Sequence, residues 1–160
     1  MKLPILKSSL FILLGLLSLN CTQSEKKERV EIKHLDSGKI LPEEADLPFS
    51  EAVLVDNTLY LSGQIGIIPG TLTLVEGGIG AESKQVMENI KTTLEAHDFN
   101  MNDILKCTIM IDDISQWSSF NEIYKTYFEE PYPARSAFGA DGLALGAAIE
   151  VECIAVLKSD

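Results

Sequence analysis

The sequence is poor in the residues from which most catalytic centres are built. Its 160 residues include three cysteines, two histidines, one tryptophan and, apart from Arg29, a single arginine, Arg135. His34 and His97 lie far apart, so no metal-ligating cluster and no Ser-His-Asp arrangement has support. Three cysteines are too few for a disulfide framework. Positive charge is also short: 13 Lys and Arg stand against 24 Asp and Glu, a formal net charge of −11. A surface that acidic is repelled by phosphate backbones and anionic headgroups, which argues against nucleic acid as a partner. Gly77-Gly78-Ile79-Gly80 lacks the Lys-Ser/Thr pair of a phosphate loop. There are no internal repeats and no low-complexity tract. What remains is a chain that is 46% hydrophobic, enough to bury one core, and of a length that suits one domain.

The longest apolar run, residues 10–19, is short of the roughly 20 residues a bilayer span needs. Lys2 and Lys7 precede it and Cys21 follows, the pattern of a secretory signal peptide. The terminal cysteine makes it similar to a bacterial lipoprotein signal. Ser18-Leu19-Asn20-Cys21 is a relaxed form of that motif. The expectation is a leader over residues 1–20, a lipidated Cys21 opening a polar tether over residues 21–38, and a folded domain over residues 39–160. Losing Lys2 and Lys7 would take the charge from −11 to −13. A lipid anchor would then be the sole attachment to a membrane, on the exported side.

Residues 30–35 suit either a first strand or part of the tether. Residues 51–55 and 58–62 read as two strands about an Asp56-Asn57 turn. Residues 71–75 suit a third strand, and the glycines at 77, 78 and 80 a loop. Val86, Ile90 and Leu94 recur at helical spacing and predict a helix over 82–97. Residues 104–111 predict a strand with Cys107, Ile109 and Ile111 on one face. Phe120, Ile123, Tyr124, Tyr127 and Phe128 make the apolar stripe of a second helix over 115–128, which Pro131 and Pro133 forbid from continuing. Strands over 135–139 and 147–157 complete an α+β domain with two helices on one sheet face. On the last strand Ile149, Val151, Cys153 and Ala155 point one way; Glu150, Glu152, Ile154 and Val156 point the other. That mixed second face suits a subunit interface with an embedded polar site. Cys107 and Cys153 read as core thiols, with a disulfide open to them only if their strands are neighbours.

The informative segment is Tyr132-Pro133-Ala134-Arg135-Ser136, with Glu150 fifteen residues after Arg135. Proline fixes its own φ and biases its neighbour to extended backbone, so the arginine leaves from a rigid position. A lone guanidinium there suits either a bidentate carboxylate ligand or a structural ion pair with one of the many acids.

The chain resembles the Rid (reactive intermediate deaminase, YjgF-type) family over residues 39–157. The matching segments are Leu61-Ser62-Gly63-Gln64, Glu88-Asn89-Ile90, Asp103-Ile104-Leu105-Lys106, Phe120-Asn121-Glu122-Ile123-Tyr124, Tyr132-Pro133-Ala134-Arg135 and Ile149-Glu150-Val151-Glu152-Cys153-Ile154-Ala155. The resemblance implies a chorismate-mutase-like subunit, with helices packed on one face of a mixed sheet, in a homotrimer with a barrel-like interior and pockets at the subunit interfaces. It implies hydrolysis of 2-imino acids or their enamine tautomers to 2-oxo acids and ammonia, without a cofactor and without a metal. Arg135 matches the family's carboxylate-binding arginine and Glu150 its water-orienting glutamate. Ser62 and Gly63 match its pocket loop, and Asn121 an asparagine near the pocket. Phe49 falls where many members place a tyrosine, so the ring is kept and the hydroxyl lost. Ala137 falls where bacterial members have a cysteine, a position thought to contribute backbone groups to the ligand. Leu143-Ala144 stands where the family has Leu-Pro.

A second expectation, favoured by Phe49 and the leader, is a non-catalytic trimer that binds small carboxylates or a partner. A third, RNA cleavage, has been attached to some relatives, and the acidic charge argues against it.

Overall fold

A computed structural model describes residues 29–157. The leader, Cys21 and the rest of the expected tether up to residue 28 lie outside the described residues. No helix among the described residues is long and apolar enough to cross a membrane.

The hairpin expected around Asp56-Asn57 is present: β2 (Ala52–Val55) and β3 (Thr58–Leu61) pair antiparallel, and Asp56 takes the positive φ of 52° that the tight turn requires. β1 (Ile32–Leu35) pairs antiparallel with β2. Residues 30–35 therefore supply a strand, and the ordered domain starts before the boundary expected at residue 39. The remaining strands are β4 (Gln64–Ile65), β5 (Ile104–Ile111), β6 (Ala134–Gly139) and β7 (Ile149–Val156). They form one sheet in the order β1-β2-β3-β7-β5-β6, with β4 also against β7. β5 and β6 run parallel and the other paired strands antiparallel, so the sheet is mixed.

Two helices, α1 (Gly78–Ala96) and α2 (Trp117–Tyr124), cover one face. Leu59, Cys107, Ile109, Ile111, Ile149, Val151, Cys153 and Ala155 are buried beneath Val86, Met87, Ile90 and Leu94 of α1 and Phe120 of α2. Each such aliphatic or aromatic side chain contributes roughly 1.5–3 kcal/mol by leaving water. The alternation read on β7 holds: its odd-numbered residues are buried, while Glu150, Glu152, Ile154 and Val156 face away from the helices.

Three local expectations are corrected. α1 begins at Gly78, not residue 82, because Ile79 packs against the core and draws the glycine-rich turn into the helix. The expected strand over 71–75 is a single bridge, Leu74 to Ile67, and the short strand lies earlier, at β4. The second helix is α-helical only over Trp117–Tyr124, with tighter 3₁₀ turns at Ile114–Gln116 and Lys125–Tyr127.

Cys107 and Cys153 are direct partners across β5 and β7, their Sγ atoms 2.7 Å apart, and both are free buried thiols. Burial pushes the Cys153 thiol well up. The hydrogen bond shared with Cys153 lowers Cys107.

Candidate active site

Glu150 is positioned by an irregularity in the sheet. Tyr60 pairs with Ile154, but Gln64 pairs with Val151, so four steps along one strand oppose three along the other. The extra residue is a bulge at Ser62-Gly63, a device that re-aims backbone and side chains locally. Ser62 is tied down on both sides: its N–H donates to the Glu51 carbonyl at 3.0 Å and its hydroxyl to the Ser50 carbonyl at 2.7 Å. Asn89 of α1 holds the far side, donating through Nδ2 to the carbonyls of Ile65 and Ile67. The Glu150 carboxylate lies flat against Gly63. A Cβ built on Gly63 would sit 2.8 Å from Glu150 Cδ and closer still to Oε1. Glycine is required here for space, not for its φ.

This gives a direct test. Gly63→Ala is expected to leave the fold intact, because the atom it strikes is the free end of a side chain, and to swing the Glu150 carboxylate out of place. Turnover should fall about tenfold or more while thermal unfolding moves by no more than about 4 °C. A Gly63→Ala protein with unchanged turnover would show that the carboxylate position does not matter.

Burial, and after it the charge of Glu152 two residues along, hold the Glu150 carboxyl above the ordinary carboxylate range. No lysine or arginine forms an ion pair with it among the described residues. Beside it opens a cavity of about 450 Å³, lined by Phe49, Ser62, Gly63, Gln64, Ile65 and Glu150 among others. Phe49 is 54% exposed at its rim.

Arg135 is elsewhere. On β6 it pairs in parallel register with Cys107, and Cys107 pairs with Cys153, so all three side chains share the helix-covered face. Glu150, an odd number of residues from Cys153, faces the other way. The guanidinium carbon of Arg135 stacks 4.6 Å from the ring centres of both Trp117 and Tyr124. Each cation–π contact contributes about 0.5–2 kcal/mol and fixes the planar group without consuming its hydrogen-bond donors. Among the described residues no acid pairs with Arg135, which disfavours the structural ion pair. Asn121 sits between Trp117 and Tyr124 on the same stripe of α2, four residues after one and three before the other. Its Oδ1 and the Tyr124 hydroxyl are buried and without hydrogen-bond partners. Burial raises the Tyr124 phenol far above its ordinary range, so it stays protonated. Ala137, two residues on from Arg135, is exposed on β6, whose outer edge pairs with no strand among the described residues.

The predicted residues thus fall into two groups. Phe49, Ser62, Gly63 and Glu150 meet at one cavity; Arg135, Asn121 and Ala137 belong to a second place on the opposite face. One half carries an uncompensated carboxylate, the other an uncompensated guanidinium with unsatisfied polar groups around it. Sequence reasoning missed the Trp117–Tyr124 platform. The spacing of Trp117, Asn121 and Tyr124 at i, i+4 and i+7 carried that signal.

Comparison with known proteins places these features in context. A family model described as Endoribonuclease L-PSP matches residues 42–157. The human 2-iminobutanoate/2-iminopropanoate deaminase is 42% identical over 109 residues, covering 68% of this chain and 80% of its own length. The crystal structure of RidA from an Antarctic Psychrobacter superposes with a TM-score of 0.72 at 38% identity, covering 78% of this chain and 99% of its own. The structure of Escherichia coli TdcF with bound serine superposes with a TM-score of 0.72 at 28% identity, covering 79% of this chain and 99% of its own.

Proposed function

The chain belongs to the endoribonuclease L-PSP (Rid) family, and from that premise we propose that it hydrolyses 2-imino acids to 2-oxo acids and ammonium. The observation that carries the reading is the pair of complementary half-sites. An arginine stacked flat and free of acids is built to receive a planar carboxylate. A glutamate raised in pKa beside a cavity is built to take a proton from water. The name of the human relative supports the reaction class, and the serine bound to TdcF supports an amino-acid-like ligand.

The chemistry asks little of the protein. A protonated imine carbon is already electrophilic. Arg135 holds the substrate carboxylate and fixes the plane of the C2 carbon. Glu150 holds a water and accepts its proton as the oxygen attacks C2, giving a carbinolamine. The protonated Glu150 then delivers that proton to nitrogen, the C–N bond breaks with its electron pair leaving on ammonia, and the hydroxyl proton passes to that ammonia as the carbonyl forms. One water is consumed, and the products are a 2-oxo acid and ammonium.

Because Arg135 and Glu150 face opposite ways in one chain, the working site takes the arginine half from one copy and the glutamate half from its neighbour. A cyclic homo-oligomer supplies such contacts head to tail, and we take it to be a homotrimer, the helices outside and the sheets forming a barrel-like interior. The half-exposed apolar and acidic face of β7 and the free edge of β6 are the surfaces this assembly would cover.

The endoribonuclease activity in the family description finds no support in this chain's charge of −11. A non-catalytic carboxylate binder would need the arginine half but not the bulge that seats Glu150. The leader pattern ending at Cys21 supports export and lipid anchoring; incorporation of a labelled fatty acid that is lost in Cys21→Ala tests it. The function itself is tested by adding the domain to an amino-acid oxidase that generates 2-imino acids in situ. Faster release of ammonia than from the oxidase alone supports hydrolysis; an unchanged rate refutes it.

A further inference from the structure

Much of the lining of the cavity beside Glu150 is an apolar wall. Leu41, Leu47, Phe49, Ile67, Leu72 and Leu145 line it. Two of the polar side chains that reach it are committed to the fold. Glu51 is buried and accepts from Ser37 and from the Thr93 hydroxyl, and Ser62 donates to the Ser50 carbonyl. Phe49, Leu72 and Leu145, exposed by 54%, 47% and 58%, all gather at this cavity. Leu145 is the most telling. It holds a left-handed φ of 57° in a turn flanked by Gly142 and Gly146, both also at positive φ. Glycine or asparagine would take that conformation at less cost. A leucine there adds strain and contributes an apolar side chain at the rim.

We propose that this wall is the subsite for the substrate's side chain, and that the chain acts on 2-imino acids with bulky apolar side chains, of the kind formed by oxidation of leucine, methionine or phenylalanine. The proposal rests on the imine-hydrolase reading above. With the carboxylate on Arg135 and C2 at Glu150, the substituent on C2 has this wall to fill. A methyl or ethyl group would leave much of a cavity of about 450 Å³ in contact with water.

The experiment compares imines generated in situ from alanine, 2-aminobutyrate, leucine and phenylalanine by an amino-acid oxidase, with semicarbazide as the competing trap. kcat/KM is expected to rise at least about tenfold from the alanine-derived to the leucine-derived imine. In Leu145→Ala that ratio should collapse towards one, and Leu145→Met should largely restore it. Equal hydrolysis of all four imines by the unaltered chain overturns the subsite and leaves the hydrolase reading standing; it is the result expected if a neighbouring copy covers the wall instead. A ratio that survives Leu145→Ala likewise removes Leu145 and this wall from selectivity. Hydrolysis of none of the four overturns the hydrolase reading, and the subsite with it.

Discussion

Arg135→Ala is expected to lower kcat/KM for imine hydrolysis by about 100-fold or more while the domain stays folded. A charge-assisted bidentate contact is worth roughly 1.5–3 kcal/mol, and loss of orientation at C2 adds to it. The fold should survive because Arg135 stands on an edge strand, half-buried, and holds no acid in place among the described residues. Removing the guanidinium deletes two cation–π contacts with Trp117 and Tyr124, a loss of a few kcal/mol at most. Arg135→Lys should recover little, because an ammonium neither stacks on two rings nor offers a fork to a carboxylate. Circular dichroism and sedimentation separate the two effects. An Arg135→Ala protein that is folded, assembled and fully active would remove the carboxylate clamp.

Glu150→Gln is expected to cut kcat by about 10²–10⁴-fold, the range a positioned general base supplies, with a smaller change in KM. Glutamine keeps the shape against Gly63 and removes the proton acceptor, so the loss should fall on turnover. The sign of the pH dependence follows from the same group. On the proposed role the carboxylate is the active form, and burial, with the neighbouring Glu152 charge after it, raises its pKa above the ordinary carboxylate range. The acid limb of the kcat/KM profile should therefore lie higher than that of a free carboxylate, and Glu152→Gln should shift it downwards. An acid limb that is unmoved by Glu152→Gln and by Glu150→Gln would take the base role from Glu150.

Much of this was legible in the residues because each element carried a local signal. The Val86-Ile90-Leu94 period, the alternation along β7 and the Asp56-Asn57 turn are local facts, and the structure repeats them. So is the separation of Glu150 from the buried face, which alternation alone establishes. Less legible was whatever depended on packing between distant segments. The start of α1 turns on Ile79 meeting the core, which no cap residue announces; Gly77 offers no side chain at that end. The short β4 is fixed by Asn89 reaching back to Ile65 and Ile67 across more than twenty residues. The bulge at Ser62-Gly63 exists only in the register between β3, β4 and β7. The division of the site could have been inferred from parity across β6, β5 and β7, but only once that strand order was known.

The central claim is that one copy lends the arginine and its neighbour the glutamate. Co-assembly of Arg135→Ala with Glu150→Gln tests it most directly. Each variant alone is expected to be nearly inactive. Random mixed assemblies should regain about a quarter of the unaltered activity, since one interface in four then carries both intact groups. Mixed assemblies as inactive as either parent would place both groups in one chain's own site and contradict the account.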